Sequence, residues 1–193
     1  MRGSRFWLSG WVMTLAAASA VGAPETYQLE KTHVDLVFTI NHAGFSQKHG
    51  SFRQLDATLV YDAQKPEDSH VKVSVKTDSL DTGFADRDRD VKGPQFLDTV
   101  KYPEMTFAST KVTRMGDKTL RIDGDLTLHG VTRPVVLEAH LNQLGPNPFD
   151  KRPTVGFGAS GSLRRSEFGI GMFIPVIGDE VTITIDAEFN HPK

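Results

Sequence analysis

The chain contains no cysteine. That removes disulfides, thiol chemistry and thiol-linked lipid anchors in one step. Nor is there a surplus of positive charge. The 22 Lys and Arg stand against 24 Asp and Glu, and Arg2 and Arg5 lie at the extreme N-terminus. With no basic stripe to neutralise phosphates, the composition argues against nucleic acid as a partner. Beyond residue 22 no apolar run approaches the ~20 residues that cross a bilayer as a helix, so no transmembrane anchor is expected. Catalytic signatures are missing too. There is no G-x-S-x-G, no phosphate loop and no dinucleotide fingerprint. No two histidines have the spacing of helical zinc ligands. The expectation is of no catalytic residues, no metal and no enzyme.

What is present begins with a leader. Arg2 and Arg5 precede an apolar stretch from Phe6 to Ala18, and small residues follow at Ala18, Ser19, Ala20 and Gly22. This is the pattern of a cleaved secretory signal over residues 1–22, with cleavage after residue 20 or 22. Residues 23–193 are then one domain, long enough for a sizeable core. An exported chain without cysteine fits a bacterial periplasm, which is the expected location, and full secretion stays open.

Past the leader the dominant signal is alternation. Val34, Leu36, Phe38 and Ile40 share one strand face, and Val71, Val73 and Val75 share another. The same period recurs at Leu120 to Leu128, at Val135 to Leu141, at Val155 to Leu163 and at Val181 to Phe189. About eight such strands, with turn residues between most of them, predict an all-β antiparallel sandwich or barrel. The opposite faces carry Lys72, Lys76, Arg121, Asp123, Asp125, Glu138, Asp186 and Glu188. A narrow lumen could not hold so many charges, so the apolar faces point inward. Gly124, Ala139, Ala159 and Gly161 fall on those inner faces. They either leave space in the lumen or relieve crowding.

Alternation stops between Ser79 and Thr110. The run Asp86-Arg87-Asp88-Arg89-Asp90 has the opening of a calcium loop, but Val91 and Leu97 stand where that loop needs Gly and Glu. A short helical insert is the better reading, with Asp81 or Thr82 as its cap and Gly93-Pro94 as its stop. A second irregular stretch, Arg164 to Asp179, holds Phe168, Ile170, Met172, Phe173 and Ile174 beside Gly169 and Gly171. It either packs against the barrel end or forms an apolar portal.

Several runs together resemble the YceI-like family. They are Ser79-Leu80-Asp81-Thr82-Gly83, Arg87-Asp88, Phe96-Leu97-Asp98 and Lys101-Tyr102-Pro103-Glu104-Met105-Thr106-Phe107. Asp125 to Pro134, Arg165 to Ile170 and Gly178 to Val181 follow in the same order, so the resemblance covers nearly the whole chain after the leader. It departs at Asp90-Val91, where many members carry His-Leu. The resemblance implies an extended eight-stranded antiparallel lipocalin-like β-barrel and a polyisoprenoid tail held in its channel. On that basis the chain is expected to be a soluble periplasmic carrier for an apolar isoprenoid lipid, either a polyprenol or an isoprenoid quinone. That lipid is a ligand and no cofactor is expected. The expected lining residues are Phe38, Phe52, Phe107, Phe157 and Phe173, with Phe168 and Met172 at the mouth. His42, Arg87 and Asp88 are the candidate head-group contacts. An enzyme acting on a lipid-like substrate, a stress-related interaction protein without a ligand, and a homodimer all stay open at this point.

Overall fold

A strand with an apolar residue at every second position has one face to hide, and a set of such strands hides it by curling into a tube. The computed structural model describes residues 23–192. The expected leader, residues 1–22, lies outside the described residues. The strands are β1 (Glu25–His42), β2 (Ser46–Phe52), β3 (Leu55–Tyr61), β4 (His70–Lys76) and β5 (Leu80–Asp81), then β6 (Glu104–Arg114), β7 (Thr119–Leu128), β8 (Val131–Pro146), β9 (Pro153–Arg164) and β10 (Ile177–Asn190). The single α-helix among the described residues, α1 (Ala85–Lys92), stands between β5 and β6.

The hydrogen-bonded order is β10-β9-β8-β7-β6-β4-β3-β1, and β1 pairs back to β10 to close the tube. Every junction is antiparallel. The two further strands extend members of this ring. β2 leads into β3 across Arg53 and Gln54, β5 prolongs β4, and Ser51 and Phe52 face Asp81 and Leu80. The wall therefore has eight staves, the expected number. The connection between β1 and β2 is a tight turn. Ala43 and Gly44 turn with positive φ, and β2 already begins at Ser46. Its polar residues Gln47, Lys48 and His49 mask it as a strand.

The hairpin between β7 and β8 is a two-residue turn, with His129 and Gly130 at φ of 52° and 74°. Positive φ at both positions matches the twist of the flanking strands. The Tyr102 ring packs where a side chain on Gly130 would stand, so glycine is required there twice over. α1 forms where the helical insert was expected and stops at Gly93. Its N-cap is Phe84, with no side-chain cap, so the expected capping by Asp81 or Thr82 does not occur. Asp81 is occupied elsewhere: its carboxylate accepts from the Gly83 amide at 2.8 Å and from Arg53.

Two large apolar clusters lie in the tube, one toward each end, and a small third one holds Val112, Leu120 and Ala139. Tyr27, Leu29, Leu59, Tyr61, Val155 and Phe189 belong to one cluster, at the end holding the start of β1. Phe107, Leu126, Leu128, Val135, Phe168 and Ile170 belong to the other, at the end holding α1. Val71, Val73 and Ile185 pack against both and mark the stretch between them.

Candidate functional site

Part of the inner face is only half-buried. Val34, Leu36, Phe38 and Ile40 on β1, Phe157 on β9, and Val181, Ile183 and Ile185 on β10 all point inward by register yet keep accessible surface. An inward apolar side chain that stays accessible borders free space. Two cavities lie outside that strip. One, of about 390 Å³, sits at the β1-start end against Tyr27, Tyr61, Asp62, Leu144 and Pro146. The other, of about 340 Å³, lies against β3, β4 and β6 around Asp56, Lys72 and Thr106.

Small inner residues do not widen the lumen where their neighbours fill them. The Phe107 ring lies over Gly124, Phe38 lies over Gly50 from the facing strand, and Leu137 covers Gly161. Crowding relief is thus the reading the geometry favours for Gly124 and Gly161. The expected lining aromatics divide accordingly. Phe38 and Phe52 meet with ring centroids 6.0 Å apart, and both are half-buried on β1 and β2. Phe157 meets Tyr61 edge-on at 5.4 Å. Phe107 is buried in the α1-end cluster. Phe168 is 0% exposed and packs as a plug in that cluster. Met172 is half-buried, whereas Phe173 is 56% exposed at φ 61° and touches Phe96 across 6.2 Å.

The plug is held by a residue that sequence reasoning passed over. Arg165 is 5% exposed. Its guanidinium donates to four backbone carbonyls, those of Ile170, Met172, Ile177 and Gly178, at 2.8 to 2.9 Å. The fixed fork of donors suits such convergence. Burial pulls its pKa below the ordinary guanidinium value, and the nearby Asp179 carboxylate opposes that. Asp179 in turn accepts from the Ser166 amide and hydroxyl at 2.9 and 2.7 Å. Burial would raise its carboxyl, but the two Ser166 bonds and the arginines outweigh burial and hold it low. On the other side of the plug, the Phe168 carbonyl lies 3.1 Å from Nδ1 of His129, whose ring packs on Tyr102. The signal for Arg165 was the paired arginines where the β9 alternation breaks. One continues the strand's outer face and the other must turn inward.

The polar candidates separate. Arg87 and Asp88 are brought together around one residue, Thr82. Arg87 donates to the Thr82 hydroxyl and carbonyl at 2.9 and 2.8 Å, and Asp88 accepts from the Thr82 amide at 2.8 Å and from its hydroxyl. These bonds fasten α1 to the end of β5. His42 stands apart, exposed at the end of β1 opposite Ser46 and Ile177.

Residues 27–189 match the profile of the YceI-like domain. The chain is 39% identical over 176 residues to "Protein YceI" of Escherichia coli O157:H7, covering 91% of each. The crystal structure of BcnA from Burkholderia cenocepacia superposes with a TM-score of 0.76 at 21% identity, over 83% of this chain and 98% of that one. A polyisoprenoid binding domain from Saccharophagus degradans, implicated in plant cell wall breakdown, superposes at 0.69 with 14% identity, over 86% and 98%.

Proposed function

Because the chain belongs to the YceI-like family, we propose that it binds and carries an apolar isoprenoid lipid, a polyprenol or an isoprenoid quinone, inside its barrel in the periplasm. The observation that carries this reading is the half-buried, inward-facing apolar strip from Val34 to Ile40 and from Val181 to Ile185. A solid core would bury those side chains. A surface would not turn them inward. A flexible hydrocarbon tail fits a narrow lumen, since each methylene buried adds roughly 0.8 kcal/mol without needing a polar partner. The likeness to a domain described as polyisoprenoid binding supports the same ligand class. In this reading Phe38, Phe52 and Phe157 are the aromatics that touch the tail. Arg87 and Asp88 serve the fold of the α1 insert, which weakens the lipid-directed enzyme reading.

The test is organic extraction of natively purified protein followed by mass spectrometry. A long-chain isoprenoid should co-purify in near-stoichiometric amount. If none does, and delipidated protein takes up neither a quinone nor a polyprenol from vesicles, the carrier reading fails.

A further inference from the structure

Both ends of the barrel are stoppered, so a tail that reaches the lumen needs another way in. At the α1 end Phe168 and Ile170 are buried and Arg165 ties the loop to its own carbonyls. At the other end Val155, Tyr27 and Tyr61 are buried among their neighbours. The wall itself is nearly continuous. β7–β8 and β9–β10 pair without a break. β6–β7 and β8–β9 each pass over a single residue, Thr110 and Asn142.

The exception is the junction of β1 with β2 and β3. β1 pairs with β3 from Glu25 to Gln28, against Tyr61 to Thr58, and with β2 from Val37 to His42, against Ser51 to Ser46. Between these ladders, Leu29 to Leu36 on β1 and Phe52 to Ala57 on the other stave do not pair with one another. The β1–β10 junction also loops out residues 30–33 beside this gap. Arg53 and Gln54 direct their backbone toward Ser79 and Lys76, away from β1. Six unpaired residues at ~3.3 Å each make a slit of about 20 Å in one wall of the barrel. Val34, Leu36, Phe52 and Leu55 border it and are half-buried. One exposed ion pair spans it, Lys31 Nζ to Asp56 Oδ2 at 2.6 Å. Exposed pairs of this kind hold weakly and are screened by salt.

We infer that this seam is the lateral port through which an apolar chain enters and leaves the barrel, with Lys31 and Asp56 as its clasp. The inference rests on the carrier reading and adds the route. Parting the wall here breaks no ladder hydrogen bond, whereas parting any other junction breaks several. A slit bordered by aliphatic side chains also admits a tail sideways, without passing a polar rim lengthwise. The exposed aromatics of the α1 end, Phe45, Phe84 and Phe173, offer a rival route through the mouth.

The absence of native cysteine makes the test clean. Lys31→Cys/Asp56→Cys would be bridged with a short bis-maleimide, and Phe96→Cys/Phe173→Cys would be bridged likewise across the mouth, where the α1 insert meets the loop after β9. Uptake of a dansyl-labelled geranylgeraniol from phosphatidylcholine vesicles is then followed by fluorescence. Bridging the seam should slow both uptake and release at least tenfold and leave the final occupancy unchanged. Bridging the mouth should leave both rates within twofold. Slowing by the mouth bridge alone, or by neither, overturns the port. If the unbridged protein takes up no probe, the carrier reading fails and the port falls with it. Hydrogen exchange on the unmodified protein gives a readout without ligand. Amides of residues 29–36 and 52–57 that face the seam should exchange at least tenfold faster than those of β9 and β10. Equal protection would overturn the port even if lipid binds.

Discussion

Arg165 shows how one side chain can set the state of a whole loop. Two of its four carbonyl partners, Ile170 and Met172, lie in the loop between β9 and β10, and the other two, Ile177 and Gly178, open β10, so the side chain ties the loop to the strand that follows it. Arg165→Met keeps much of the stem's packing and strips every one of those bonds. It should lower stability by about 3 kcal/mol, since buried carbonyls left without donors carry their full desolvation cost. Arg165→Lys should recover little of this, because an ammonium cannot present a planar fork. Urea denaturation of the three proteins measures both effects. The adjoining Asp179–Ser166 latch adds a pH dependence. The carboxyl is held below its ordinary value of 3.8, so the latch contributes fully at neutral pH. That contribution is lost as pH falls below 3.8, through the lowered folded value. The acid unfolding midpoint of Asp179→Asn should therefore lie at higher pH than that of the parent chain if the latch matters. Coincident midpoints would remove it from the account.

At the scale of elements, cross-strand pairs decide which inner positions are filled. Phe107 covers Gly124 on the neighbouring strand, an arrangement in which an aromatic supplies the side chain that glycine lacks. Gly124→Ala should cost about 1–3 kcal/mol through overpacking. Adding Phe107→Leu should return part of that loss, and a thermal denaturation cycle on the four proteins reads the coupling. If the double variant simply sums the two losses, the ring does not depend on the glycine. The long strands were legible because alternation with one buried face is a strong, redundant signal. β10 keeps it over 14 residues. β2 was hidden because half of it carries Gln47, Lys48, His49 and Gly50, and only pairing with β1 makes it a strand. The helical insert was legible from its Gly93-Pro94 stop. Its cap was not, because a start at Phe84 without a side-chain cap leaves no mark in sequence. Arg87 and Asp88 looked like binding groups for a related reason. Sequence shows that two charges are adjacent but not that both turn back onto Thr82.

For the molecule as a whole, a closed wall with stoppered ends makes chain length the variable that ligand binding should report. β10 spans 14 residues, which at ~3.3 Å each and a strand tilt of ~40° gives roughly 35 Å along the axis. The two end clusters occupy part of that length, so the usable lumen is shorter than the wall. Affinity for a homologous series of polyprenols should climb steeply with each added isoprene unit while the tail still finds apolar wall, and then level off once the lumen is full. The gain is also visible as stability, because a ligand that binds only the folded state adds RT ln(1 + [L]/Kd), about 2.7 kcal/mol at a hundredfold excess over Kd. Delipidated protein should accordingly melt at a lower temperature than protein reloaded with a long polyprenol, with short chains giving intermediate values. Ile185→Arg places a charge on the inner face of β10 where both clusters meet. It should abolish the chain-length dependence, provided that circular dichroism still shows a β-barrel. A series whose melting temperatures do not change with tail length, in folded and fully delipidated protein, would mean that the lumen accepts no chain and that its half-buried strip serves packing alone.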